Sequence, residues 1–227
     1  AGVPGTAAGM SAMLERYGTR SLAQLIAPAI EYAESGYVVG PGQAASFAAN
    51  ARRFSSYSSA RKYFLKPDGT PYREGEVFAQ KDLAGTLRLI AEEGAAAFYE
   101  GPIADMISKD MAAKGGLITK GDLAKYTPVW RDPVRGTYRG YEVVSMCPPS
   151  SGGIHIVQIL NILEGYDVES MGFGSSPTVH AMAEAMRYAY ADRSEFLGDP
   201  DFIKVPVAGL TSKEYASEIR SLARRCD

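Results

Sequence analysis

Apolar positions recur every three or four residues over most of this chain, the period of helices buried on one side. Residues 7–17 read as a first helix, with Thr6 as its N-cap and Gly18 as its stop. A second covers 22–35, where Leu22, Leu25, Ile26, Ala29, Ile30 and Ala33 keep the spacing and Gly36 ends the run. Pro28 inside it predicts a kink or a junction of two short helices. A weaker helical pattern spans 43–54. Pro67-Asp-Gly-Thr-Pro71 is a turn, and 72–78 reads as a short extended piece. Over 82–93, Leu83, Leu87, Ile90 and Ala91 mark a buried stripe that Gly94 terminates. The next helix begins at Pro102, a residue suited to a first helical position. It is expected to bury Ile103, Met106 and Ile107, with Met111 beside them, and to stop at Gly115-Gly116. Thr119-Lys-Gly-Asp122 has the form of a capping motif for a short helix reaching Tyr126.

After Tyr126 the pattern changes. Residues 128–149 are rich in Val, Tyr and Thr and predict two strands joined by Tyr138-Arg-Gly-Tyr141. Helical spacing returns over 153–163, 178–196 and 212–224. The expected class is therefore α+β and predominantly helical. It is a single partial domain over 1–227, divided into a helical part (1–126), a strand pair (127–149) and a second helical part (150–227). Two strands alone do not make an independently stable sheet, so they are expected to pair with strands that this chain does not contain.

Composition narrows the function classes. The chain has 227 residues, 46% hydrophobic and 22% charged, with a formal net charge of −2. Disorder is not expected of such a composition. No basic stripe interleaves with aromatics, which argues against nucleic acid as a partner. The longest apolar run, 154–163, contains His155, Gln158 and Asn161 and is too short to span a bilayer, so no membrane partner is expected. The opening Ala1-Gly-Val-Pro lacks the basic start and apolar core of a signal peptide. Cys147 and Cys226 form neither a redox pair nor a metal spacing, and a small buried hydrophobe at Cys147 and a tail thiol at Cys226 are preferred to the alternative of a disulfide between them.

Several residues invite a chemical reading. Ser150 and Ser151 lie outside the Gly-x-Ser-x-Gly elbow of serine hydrolases. With His155 one turn beyond Ser151, helix capping is preferred to nucleophilic attack. His155, between Ile154 and Ile156, is expected to be a packed and satisfied core histidine. His180, Glu184, Arg187 and Tyr188 share one helical face but lack a third metal ligand at a suitable spacing. They read as a polar stripe with intrahelical pairs. Asp192, Arg193, Glu195, Asp199 and Asp201 form a charge cluster without a calcium-loop series. Asp192 and Arg193 are expected to pair and fix the turn at Gly198-Asp-Pro200. Gly2-Val-Pro-Gly-Thr6 is a tight corner before a helix, as at anion sites, without a phosphate-loop ending.

Longer motifs carry a resemblance. Cys147-Pro-Pro-Ser-Ser-Gly-Gly-Ile-His155 and Ala183-Glu-Ala-Met-Arg-Tyr-Ala-Tyr-Ala-Asp192, continuing to Phe202, closely resemble the large subunit of bacterial γ-glutamyltransferases, or glutathione hydrolases. So do Gly2-Val-Pro-Gly-Thr6, Leu25-Ile-Ala-Pro-Ala29, Gly115-Gly-Leu-Ile-Thr119 and Asp122-Leu-Ala-Lys-Tyr126. Two departures stand out: Cys147 takes the place of a proline, and the tail 221–227 leaves the family pattern. The resemblance implies an αββα N-terminal-nucleophile hydrolase sandwich and a precursor that cuts itself before a threonine. It implies two subunits that stay together, export to the periplasm or the medium, and a γ-glutamyl small-molecule substrate, with no metal or cofactor. Threonine hydroxyls need a neighbouring base, and Thr6 is internal, with no free amine. The family's nucleophile and its carboxylate-gripping arginine are expected outside this sequence. No catalytic, substrate-binding or metal residue is therefore assigned to it. Related acylases, a capsule-processing transpeptidase and a stand-alone anion-binding helical module are the alternatives.

Overall fold

The structure is a computed structural model and describes residues 2–223. The chain divides into two compact units, Ala1–Val129 and Trp130–Asp227. That boundary falls three residues after the change of pattern at Tyr126.

The first unit runs α1 (Thr6–Tyr17), α2 (Leu22–Ser35), β1 (Tyr37–Val38), α3 (Pro41–Ser55), α4 (Ser58–Phe64), β2 (Val77–Phe78), α5 (Lys81–Glu93), α6 (Ala96–Tyr99), α7 (Pro102–Ala113) and α8 (Lys120–Ala124). Thr6 is the first helical residue of α1 and not its cap. Gly5 takes the cap position without a side-chain bond. Helix α2 runs continuously through Pro28 and starts in a capping box between Ser21 and Gln24. The expected extended piece over 72–78 shrinks to the two residues of β2, which pair antiparallel with β1. The Thr119–Asp122 capping box forms as the spacing predicts.

Two small cores organise this unit. Val39, Phe47 and Phe78 bury one, with Phe54, Phe64 and Tyr72 packed round them. Ala8, Tyr99, Ala104 and Leu123 form the other. The buried Tyr99 hydroxyl donates to the Pro4 carbonyl at 2.7 Å and accepts from the Ala8 N–H at 3.2 Å. It thereby ties the opening corner to the helices. Leu83 and Met106 are exposed, and Ala84 and Ala104 are buried in their place.

The second unit runs β3 (Val134–Tyr138), β4 (Tyr141–Ser145), α9 (Gly152–Leu163), α10 (Val168–Met171), α11 (Ser176–Phe196), α12 (Val207–Leu210) and α13 (Lys213–Ala223). Strands β3 and β4 pair antiparallel in the register Tyr138↔Tyr141 to Val134↔Ser145. Their two-residue turn has positive φ at both Arg139 (49°) and Gly140 (86°), the I′ geometry that matches strand twist. Helix α9 is the hub. One side, through Ile154 and Val157, covers the hairpin with Val134 and Leu210. Ile162 and Leu163 pack with Ala181 and Ala185 of α11 and Ala216 and Ile219 of α13. Alanines on α11 let two helices approach closely.

Candidate functional site

The corner between β4 and α9 holds most of the residues with chemical promise. Ser150 accepts a hydrogen bond from the Gly152 N–H on its own hydroxyl at 3.3 Å. Ser151 takes the N-cap position in a helical backbone conformation, with no side-chain cap bond. The expected capping role thus falls to Ser150 as a local turn, not to Ser151. The Ser151 hydroxyl instead accepts from Arg193 Nε at 3.3 Å. A guanidinium supplies protons and takes none, so this pair does not activate a nucleophile.

His155 is 7% exposed and stacks on Tyr190, with ring centroids 5.6 Å apart. Its Nε2 is buried without a hydrogen-bond partner, so the histidine is packed but not satisfied. Burial pushes its pKa below the usual histidine value, and the nearby Arg193 charge adds to that, against a weaker opposing pull from Asp192. A neutral imidazole in the fold therefore resists a proton that the unfolded chain accepts. Stability should be fully present above about pH 6.5 and fall as the pH drops through the lower folded value. Thermal melts of the chain between pH 7.5 and 5 should show this slope, and His155→Gln should flatten it. An unchanged slope in the variant would place the acid sensitivity elsewhere.

Asp192 does not pair with Arg193. Its carboxylate accepts from the Tyr215 hydroxyl at 3.0 Å to each oxygen and from Gln158 Nε2. Burial, then the Asp192 carboxylate, pushes the Tyr215 phenol up to about 12. Gln158 is 1% exposed, and its Oε1 has no partner. Asn161, one turn further along α9, donates from Nδ2 to the Thr211 carbonyl at 2.7 Å and leaves Oδ1 unpartnered. Lys213 bridges Glu164 Oε2 at 2.6 Å and the Thr137 carbonyl at 2.7 Å. The sequence reading missed this polar row, although Gln158 and Asn161 inside an apolar run were its visible sign.

The remaining candidates disperse. Arg187 grips Glu184 with two nitrogens, at 2.6 Å and 3.1 Å, and lies 4.4 Å from the centroid of the Tyr188 ring. These are the intrahelical contacts expected of that stripe, and His180 is exposed on the same helix. The turn at Gly198-Asp-Pro200 is fixed by Asp199, whose carboxylate accepts from the Asp201 N–H at 3.0 Å, and by the Arg131–Asp201 ion pair at 2.6 Å. Glu195 is exposed. Among the described residues no group of three His, Cys, Asp or Glu side chains is placed to hold a metal ion. No helix among them is long and apolar enough to cross a membrane. Cys147 is a half-buried free thiol, while Cys226 lies outside the described residues. The corner holds structure in place, and nothing in it forms a nucleophile–base pair.

Comparison with known proteins supplies what the geometry lacks. The gamma-glutamyltranspeptidase family model matches residues 1–225. The chain belongs to the gamma-glutamyltranspeptidase family. It is similar to the glutathione hydrolase proenzyme of Escherichia coli (strain K12), 49% identical over 219 residues. That match covers 96% of this chain and 38% of the relative. It is also 47% identical to an acylase proenzyme of Pseudomonas sp. (strain SE83), covering 97% of this chain and 39% of the relative. The Helicobacter pylori gamma-glutamyltranspeptidase crystal structure superposes with a TM-score of 0.94 at 54% identity, over 98% of this chain and 64% of that one. The chain thus spans a little over a third of the length of these curated relatives. Its fold is that of a segment of the gamma-glutamyltranspeptidase, N-terminal-nucleophile hydrolase architecture. The α+β class read from the pattern of apolar residues stands.

Proposed function

We propose that this chain is a large-subunit segment of a precursor that hydrolyses γ-glutamyl amides such as glutathione and transfers the γ-glutamyl group to water, amino acids or peptides. The precursor cuts itself before a threonine that lies outside this sequence. The resulting small subunit stays bound and carries the nucleophile, with the threonine's own amine as base. The observation that carries this reading is the family match along nearly the whole chain, joined to 49% identity with a glutathione hydrolase proenzyme. We also propose that the precursor is exported to the periplasm or the medium, which cell fractionation would test.

The chain's own contribution is structural. Helix α9 backs the hairpin, and the Asp192–Tyr215–Gln158 contacts lock α9, α11 and α13 together. Expressed alone, the 227-residue chain should turn over a γ-glutamyl anilide no faster than buffer. The precursor should cleave itself and then hydrolyse the same compound. Turnover by the pure chain, abolished by Ser151→Ala, would overturn this reading.

The 47% identity to an acylase proenzyme supports a second reading, in which the acyl group is not γ-glutamyl. Parallel assays of the matured precursor with a γ-glutamyl anilide and with an anilide bearing a different acyl group separate the two by their relative kcat/KM.

A further inference from the structure

Helices α2 and α5 face each other across a gap that their own side chains leave open. On α2 the small residues Ala29 and Ala33 stand about one turn apart, and on α5 so do Leu83 and Leu87. The Gln80 N–H donates to the Ala33 carbonyl at 2.8 Å, and Arg88 pairs with Glu34, so the two helices are held together. Tyr37 of β1 and Phe78 of β2, paired across the strands, wall the gap with their rings edge to face, 5.9 Å between centroids. The result is a cavity of about 530 Å³ within the first unit, bordered also by Tyr32. Small-molecule sites span roughly 300–1,000 Å³.

The cavity is mostly apolar, and no Asp, Glu, Lys, Arg or His lines it. Its polar groups come from β1 and from the residue before α5. The half-buried Gln80 amide makes no hydrogen bond among the described residues, so its donors and its acceptor are free for a guest. The Tyr37 hydroxyl accepts from Gln43 Nε2, which fixes the ring and leaves its own proton to donate. Gln80 and Leu83 also line a smaller cavity of about 260 Å³, together with Asp82, Tyr63 and Thr86. There the Asp82 carboxylate already pairs with Lys62 at 2.8 Å and accepts from the Tyr63 hydroxyl at 2.9 Å. Charge on that side is balanced, so an ionised guest group would lose hydration without gaining an unmatched partner. Three aromatic rings in the lining favour a flat aromatic guest, through edge and offset contacts.

We infer that this cavity is a binding site for a small uncharged molecule with an aromatic body and an amide end. The body lies between the alanines of α2 and the leucines of α5, against Tyr32, Tyr37 and Phe78. The amide end bonds Gln80 and the Tyr37 hydroxyl. The site lies within the first unit and does not depend on the precursor reading.

Naphthalene fluorescence and methyl NMR on the full-length precursor test this, with 2-naphthylacetamide as the probe. The probe should bind saturably and shift the methyl resonances of Ala33, Leu83 and Leu87. 2-Naphthoate and 2-naphthylmethylammonium carry the same rings with a charged end and should bind at least about tenfold more weakly. Ala29→Phe, at an exposed helical position, should fill the cavity and abolish binding while the thermal melt stays unchanged. Gln80→Leu keeps the bulk and should weaken the amide probe about tenfold. 2-Ethylnaphthalene, which lacks the amide, should bind that variant and the parent alike. Equal affinity for the neutral and charged probes, or unaltered amide binding in both variants, would overturn the inference. So would the absence of saturable binding, since the rest of the precursor would then fill the cavity. γ-Glutamyl anilide turnover on the same preparation keeps the two readings apart. Turnover without probe binding sinks this inference alone, and probe binding without turnover sinks only the functional reading.

Discussion

Adjacent glycines at the start of α9 should respond in opposite senses to the same substitution. Gly153→Ala is expected to destabilise the protein by about 3 kcal/mol and to impair maturation of the precursor, with overpacking against rigid backbone as the cause. A Cβ at residue 153 would overlap the carbonyl oxygen of Met146, the residue after β4, and meet more of its backbone as well. Main chain cannot swing aside as a side chain can, so strand and helix would have to separate. No left-handed conformation is involved, since Gly153 lies within the helix and has no positive φ. Gly152→Ala meets only the Ser150 hydroxyl oxygen, at 3.5 Å, an ordinary contact. That change should be neutral or stabilising by up to about 1 kcal/mol, the usual preference for alanine over glycine in a helix. Ser151→Ala loses only a 3.3 Å bond from an exposed arginine and should stay within about 0.5 kcal/mol of the parent. Thermal melting and subunit cleavage, followed together on all three variants, check the set. Equal behaviour of the two glycine variants would show that the approach of strand to helix is not tight.

Asp192→Ala should be the second damaging change, costing about 3 kcal/mol. The carboxylate receives bonds from Tyr215 and from Gln158, and bonds to a charged acceptor are each worth about 1.5–3 kcal/mol. Gln158 is 1% exposed, and its other amide atom already lacks a partner. Without Asp192 the whole amide would be buried and unpaired. Asp192→Asn keeps the shape and should recover part of the loss. It also gives a direct spectroscopic check. Burial and then Asp192 raise the Tyr215 phenol to about 12. A raised phenol contributes stability that is complete below about pH 10 and is lost as the pH rises through about 12. In Asp192→Asn the phenolate absorbance should appear at lower pH, while burial still holds it above an ordinary tyrosine. An unmoved titration curve would show that Asp192 and Tyr215 do not interact in solution.

Most helices were legible because their punctuation is chemical. Gly18, Gly36 and Gly94 end helices where the pattern stops, and Pro102 starts one. The Thr119 box and the Tyr138–Tyr141 turn carry their geometry in residue types alone. Which residues face inward was less legible. Leu83 and Met106 are as apolar as their buried neighbours, but the inward faces carry Ala84, Ile103 and Ala104, and apolar character alone does not say which face of a helix meets another element. The Asp192–Arg193 pairing failed for a related reason. Neighbours in sequence point to different sides of a helix, so one reaches Tyr215 while the other reaches Ser151. Likewise, nothing in the sequence around His155 says that its Nε2 is enclosed without a partner.

By itself the sequence determined the helical class, the change of pattern near Tyr126, the hairpin and, through its long motifs, the family. These depend on local spacing and on residue order, which need no knowledge of what lies across the core. Only the tertiary structure decided which serine caps, which partner Asp192 takes, why Gly153 admits no side chain and where Lys213 binds. Each of those rests on atoms brought together from distant positions. Lys213 bonds the Thr137 carbonyl from 76 residues away, and no spacing rule reaches that far.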